Sequence, residues 1–152
     1  HGIDLIRWLF GEIESVFAKV STVSDLEITS DDLTVMILEL KNKIIAEAHF
    51  DLLGRTPRIG LEVIGSEGTV LWDRISGKIE IYNISSNSWE TEDFGSNDFL
   101  KSYDMQLEHV MECFAKNQST PCDLEDGIKT MRVLDAALKA SEQQKVITIP
   151  FS

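Results

Sequence analysis

The chain has 152 residues, enough for one ordinary domain, and 43% of them are hydrophobic, so a core can form without metal or disulfide staples. Its 26 acidic residues against 14 basic ones leave a formal charge of -12, a field that repels phosphate backbones and anionic lipid and excludes nucleic acid and membrane surfaces as expected partners. No apolar run reaches the ~20 residues that cross a bilayer, and a 26% charged fraction with aromatics spread along the chain belongs to a folded protein, not a disordered one.

At the start, Ile3, Ile6, Leu9 and Phe10 recur at spacings of three and four, which predicts a short helix over residues 2–10 that stops at Gly11. Trp8 follows this stripe closely and is expected in the core rather than as a substrate platform. The period then changes to two. Ile13, Ser15, Phe17 and Lys19 alternate with Glu14, Val16, Ala18 and Val20, predicting a strand with two different faces. Residues 24–32 are polar turn formers, 33–40 a second strand, 41–43 a hairpin turn and 44–53 its partner. Pro57 removes a backbone donor and interrupts pairing over 54–57.

Further strands are predicted at 59–64, 69–72 and 78–83, and a turn over 85–88 leads to Trp89. Gly65 and Gly68 bracket a hairpin link and are expected to supply its positive φ angles. The pattern then becomes helical. Phe99, Tyr103, Leu107, Val110, Met111 and Phe114 form one stripe, and Leu124, Ile128, Met131, Leu134 and Leu138 form a second after Thr120-Pro121, with Asp123 as its N-cap. A last strand covers 146–149. Strands joined by hairpins, followed by helices, predict an α+β fold: a mainly antiparallel sheet with helices packed on one face, in a single domain over 1–152. The opposite sheet face is left apolar and open, which predicts association, a homo-oligomer through that face.

Cys113 and Cys122 lie in no CxxC spacing and near no histidine pair, so neither a zinc cage nor a disulfide framework is predicted, and a reducing, cytoplasmic setting is expected. The acidic runs at 90–93 and 123–126 lack the spaced oxygen ligands and central glycine of a calcium loop, and no metal is expected. His109 reads as a boundary residue of its helix. His49 and Asp51 are two apart in a strand and share a face, where imidazole and carboxylate make either an orienting pair for acid–base work or an ordinary hydrogen bond. With Arg55 and Arg58 beside the Gly-Pro loop they form a candidate substrate-binding segment, suited to sugar hydroxyls or an acidic group; the competing reading is a solvated loop. Asp4 is a further candidate for substrate contact, and within its own helix it either caps the first turn or orients His1.

The string His1-Gly2-Ile3-Asp4-Leu5-Ile6-Arg7-Trp8-Leu9-Phe10-Gly11-Glu12, leading into Ile13-Glu14-Ser15-Val16, resembles the H-x-x-D-x-x-x-W-L-x-G segment of the glucose-fructose oxidoreductase, inositol dehydrogenase and MocA family. Glu62 to Asp73 resembles that family's hairpin, and Pro121 to Ser141, with Glu125-Asp126-Gly127 and Leu134-Asp135-Ala136-Ala137, its final helix. The resemblance runs in family order along almost the whole chain, and it is to the C-terminal half only.

It implies a two-domain parent in which an N-terminal Rossmann domain, outside this chain, binds NAD or NADP, while this half supplies substrate contacts and oligomerisation. The substrate implied is a sugar, cyclitol or sugar nucleotide oxidised at a CH–OH group. His1 takes the position of the family's catalytic histidine, which acts with a lysine of the Rossmann half. That lysine, an aspartate four residues before the histidine and any G-x-G-x-x-G turn are not in this sequence, so the chain alone is expected to bind no cofactor and to be inactive. Starting at His1 without Met, it reads as a segment of something longer. A non-catalytic module that binds or assembles through its sheet is the alternative.

Overall fold

Alternating apolar residues pair into hairpins wherever a turn lets the chain reverse, and eight strands and three helices result among the described residues. In chain order these are α1 (Gly2–Phe10), β1 (Ile13–Ser21), β2 (Leu33–Leu40), β3 (Ile45–Asp51), β4 (Gly60–Ile64), β5 (Gly68–Asp73), β6 (Lys78–Asn83), β7 (Ser88–Asp93), α2 (Phe99–Ala115), α3 (Leu124–Gln143) and β8 (Ile147–Thr148). The computed structural model describes residues 1–95 and 99–150. The α+β class with antiparallel sheets is as the sequence predicts, but the strands divide between two four-stranded sheets, ordered β3-β2-β1-β8 and β4-β5-β6-β7. They belong to two compact units, residues 1–53 with 120–152 and residues 54–119.

In the first unit the period of two sorts side chains cleanly. Ile13, Val16 and Ala18 of β1, Met36, Leu38 and Leu40 of β2 and Ala48 of β3 point to one face and are buried against Ile3 and Ile6 of α1 and Val133, Ala136, Ala137 and Ala140 of α3. A bulge between Ile13 and Ser15 absorbs one residue and brings Ile13 onto this same face as Val16. Helix α3 meets the sheet through its smallest side chains: Ala140 is 0% exposed, while Leu124 is 81% exposed and Met131 and Leu138 also face outward. The stripe of larger residues predicted to be the core face is therefore not the face α3 buries. Residues 133, 136, 137 and 140 have equally good helical spacing, and alanine lets the helix backbone lie close on β1.

Trp8, expected in the core, is 78% exposed. The inner side of α1 is taken by Ile3, Ile6 and Arg7, and a residue directly after Arg7 must turn away from it. Between β1 and β2, the side chain of Asp32, which is buried, accepts the backbone N–H groups of Val23 and Ser24 at 2.8 and 2.9 Å and the Ser24 hydroxyl, so one carboxylate organises the connection. Its own carbonyl accepts from Leu52 N–H at 2.9 Å, tying the end of β3 to the same point.

The second unit is a meander of β4 to β7, in register from Leu61–Trp72 through Trp72–Ile79 to Ile79–Glu92. Neither Gly65 nor Gly68 takes the positive φ expected of it; the positive-φ glycines described are Gly11, Gly77 and Gly95. Gly68 is required for a different reason, because a Cβ there would collide with the Tyr82 carbonyl oxygen on the neighbouring strand. Gly77 combines both demands: its φ is 72° and a Cβ would run into the Gly95 carbonyl oxygen. On α2, Tyr103, Leu107, Val110, Met111 and Phe114 of the predicted stripe are exposed and Cys113 is buried; the side chain of Phe99 lies outside the described residues.

Candidate functional site

The first helix is only nine residues long, too short to be stable alone, so its orientation rests on tertiary contacts. Those contacts centre on Arg7, 6% exposed. Its Nε and Nη2 donate to the two carboxylate oxygens of Glu12, each at 3.2 Å, a bidentate fork. Nη2 also donates to Asp126 Oδ1 at 2.8 Å, and Nη1 donates to Thr130 Oγ1 at 2.6 Å and to the Asp126 carbonyl at 3.2 Å. All five N–H donors of the guanidinium are thereby used. Lys129 Nζ lies 3.6 Å from Glu12 Oε1, the oxygen that also accepts from Arg7 Nη2.

This cluster locks α1 to the first turn of α3 through charge as well as packing. Burial works against the Arg7 charge, but the hydrogen bonds from Glu12 and Asp126 more than offset it and raise its pKa above the ordinary value. Glu12 is held below the ordinary carboxylate range, first by the Arg7 hydrogen bond. The network was not among the sequence-predicted sites. Its signal is a basic residue placed on the core stripe of a helix, at 7 between Ile3 and Phe10.

His1 is the N-cap of α1, with its carbonyl accepting from Leu5 N–H at 2.9 Å, its side chain making no capping bond and exposed. Trp8 is two turns on and on the same outward side, with Leu5 and Leu9 flanking it. Thus α1 is apolar on both sides: one faces the core, and the other, carrying the imidazole, faces out. Asp4 does not cap the helix. Its Oδ1 accepts from Thr130 Oγ1 at 3.2 Å and lies 3.6 Å from Arg7, which joins the helix start to the Arg7 cluster.

The structure brings His49 and Asp51 together, with Nε2 2.9 Å from Oδ2, while Asp51 Oδ1 accepts from Leu53 N–H at 2.7 Å. They lie on the outer face of the first sheet. Phe50, between them, points to the helix side, where Gly2 packs against its ring so closely that any side chain at Gly2 would collide with it. The sheet therefore stands between the His49–Asp51 pair and His1. Arg55 and Arg58 belong to the second unit and are exposed; Arg58 contributes to holding the Asp73 carboxyl below its ordinary value, an effect led by the backbone amides of Ile75 and Ser76.

Among the described residues no glycine-rich turn leads from a strand into a helix N-terminus. Pyrophosphate binding needs a glycine turn from a strand into a free helix N-terminus. Gly65 and Gly68 instead join two antiparallel strands. The N-terminus of α3 is already satisfied by Asp123, whose Oδ1 accepts from Asp126 N–H at 2.9 Å, and Glu125 and Asp126 in its first turn would repel a phosphate. Among the described residues there is no cluster of three metal-ligating side chains, and no helix is long and apolar enough to cross a membrane. Both cysteines are free thiols, Cys113 buried with Sγ 3.6 Å from His109 Nε2, and Cys122 exposed.

Comparison with known proteins agrees with this architecture. A curated relative, the uncharacterized oxidoreductase YrbE of Bacillus subtilis strain 168, is 26% identical over 148 residues, covering 90% of this chain and 42% of its own. A levoglucosan dehydrogenase solved with NADH superposes with a TM-score of 0.87 at 16% identity, over 99% of this chain and 48% of that one; the same enzyme has been solved with NADH and levoglucosan. An oxidoreductase from Agrobacterium radiobacter, in complex with NAD+, L-tartaric acid and magnesium, superposes with a TM-score of 0.83 at 17% identity, over 98% and 47% of the two chains. At such identities these structures establish the fold alone, and the chain spans under half the length of the relatives just described. The model of the oxidoreductase family C-terminal alpha/beta domain matches residues 1–149, and the chain accordingly belongs to the glucose-fructose oxidoreductase, inositol dehydrogenase and MocA family, as its C-terminal domain.

Proposed function

We propose that this chain, acting through residues 1–152 as one domain, is the substrate-side half of a cytoplasmic NAD(P)-dependent oxidoreductase that oxidises a CH–OH group of a sugar, cyclitol or sugar nucleotide. The observation that carries the reading is the two-sided first helix. Arg7 and the isoleucines anchor its inner side, while the outer side presents His1 with Leu5, Trp8 and Leu9, an arrangement that makes sense if another domain closes over it. That domain is a Rossmann half holding NAD or NADP, which takes the hydride when bound.

The part of this chain is the proton. As a CH–OH carbon gives up hydride its hydroxyl must lose a proton, and a neutral imidazole, with a reference pKa of about 6.5, accepts it at physiological pH. The N-terminal end of α1 adds a partial positive charge where the developing alkoxide would lie. Asp4 supports His1 indirectly by tying its helix to Thr130. Arg55 and Arg58 offer planar donors to hydroxyls or an acidic group. The His49–Asp51 pair would meet a substrate only from the outer sheet face. That face is open and apolar, and we assign it to association with further copies of the chain.

The test is the His1→Asn variant of the full-length parent. A fall in kcat of about 100-fold to 10,000-fold, with loss of the limb of the pH profile that reports a base, is expected. Unchanged kcat, or a gene with no Rossmann sequence before His1, would overturn the reading in favour of a non-catalytic assembly module.

A further inference from the structure

Asp4 follows His1 by three residues, the spacing at which two side chains of a helix become neighbours. As the third residue of α1 it also stands where a carboxylate can reach back and cap the helix start. Among the described residues it does neither. Its Oδ1 accepts from the Thr130 hydroxyl at 3.2 Å and lies 3.6 Å from Arg7 Nη1, so the carboxylate is turned toward α3.

The order of the bonds at Thr130 explains why. Arg7 can only donate and an ionised Asp4 can only accept, so the hydroxyl takes the Nη1 proton donor at 2.6 Å and gives its own proton to Asp4. Serine could do the same. Valine, which has the shape of threonine, could do neither. The other charged groups on the elements packed against α1 are engaged elsewhere: Asp126 and Lys129 of α3 meet Arg7 and Glu12, and Glu47, His49 and Asp51 of β3 lie across the sheet. No carboxylate among the described residues comes within ion-pair distance of the His1 imidazole.

A base must be uncharged when it accepts a proton. A carboxylate paired with the imidazole would favour the charged form, hold the proton there and turn the ring back along the helix. We infer that Thr130 is a positioning residue for the proposed proton transfer: by holding Asp4 against α3 it keeps that carboxylate off His1 and leaves the imidazole open to the substrate hydroxyl. The inference rests on the proposed role of His1 and adds what keeps that residue ready.

The pH dependence of kcat and kcat/KM in the full-length parent tests it. In Thr130→Val the released carboxylate can reach His1. The limb that reports the base is expected to move to higher pH by about 0.5–1 unit, with kcat at pH 7 down about threefold to tenfold and KM within about twofold. Thr130→Ser regains both. Adding Asp4→Asn to Thr130→Val removes the released charge and brings the limb back to within about 0.2 unit of wild type, although the helix is held no better. Asp4→Asn alone leaves the bond between Arg7 and Thr130 intact and tests the same point if the valine variant does not fold; the limb is again expected within about 0.2 unit of wild type. A limb that Thr130→Val leaves in place, that does not return with Asp4→Asn, or that Asp4→Asn alone lowers by more than about 0.5 unit would overturn the positioning role while His1 remains the base. An unchanged kcat in His1→Asn would instead overturn the reading beneath it.

Discussion

Replacing Arg7 by alanine removes the one residue whose guanidinium joins α1, the start of β1 and the first turn of α3. Five hydrogen bonds are lost, to Glu12, Asp126 and Thr130. Deleting one member of a fully buried ion pair costs ~3–5 kcal/mol, because the abandoned charge stays buried. Here the side chains of Glu12 and Asp126 are 34% and 35% exposed and can recover water, which places the expected loss lower, at about 2–3 kcal/mol. For a chain of this length that is a fall in Tm of roughly 5–10 °C.

Urea unfolding followed by circular dichroism measures the loss, and amide exchange locates it, with acceleration expected in Gly2–Phe10 and the first turn of α3 rather than in β4 to β7. Arg7→Met retains much of the packed stem and should lose less. Glu12, whose folded pKa lies below its ordinary 4.5, contributes stability that is complete above that value and disappears as pH falls through the lowered one. The gap between wild type and Arg7→Ala should therefore narrow in acid below about pH 4. A variant within about 0.5 kcal/mol of wild type at neutral pH, or with exchange unchanged in α1, would refute the anchoring role.

Overpacking separates the two faces of α3: Ala140→Leu should cost about 1–3 kcal/mol in the same urea assay, whereas Leu134→Ala, more than a third exposed, should cost under ~1 kcal/mol; the reverse order would mean that the larger stripe is the core after all. Asp32→Asn should destabilise at neutral pH. The Ser24 hydroxyl, with the Val23 amide, holds the Asp32 carboxyl below its ordinary 3.8, so its contribution is complete above that value and lost below it, and curves for variant and wild type should converge in acid. Fluorescence titration of the chain with NADH should show no saturable binding; a micromolar Kd would contradict the absence of a phosphate cradle among the described residues.

The sequence by itself determined the element order. Strand and helix periods are local, and turn formers such as Lys41-Asn42-Lys43 or a cap such as Asp123 act within a few residues, so β1 to β6, β8, the three helices and the antiparallel pairing were legible without coordinates, while β7, an all-polar strand apart from Trp89, was not. So was the resemblance that singled out His1, because a string of spaced residue types survives in one dimension. The tertiary structure decided what those elements do with their sides. Helix α3 offers two apolar stripes of equal period, and only the space above β1 selects alanines over leucines. Arg7 takes a buried place on α1 while Trp8, expected in the core, faces out, because a buried position is stable for arginine once all five donors are met, and those partners come from residues 12, 126 and 130. His49 and Asp51 do sit side by side, as their spacing predicts, but which face of the sheet they share with Lys19 and not with His1 depends on register across three strands. Periodicity is a property of neighbours along the chain, whereas desolvation and charge pairing are properties of neighbours in space, and the second kind is written only when the chain has folded.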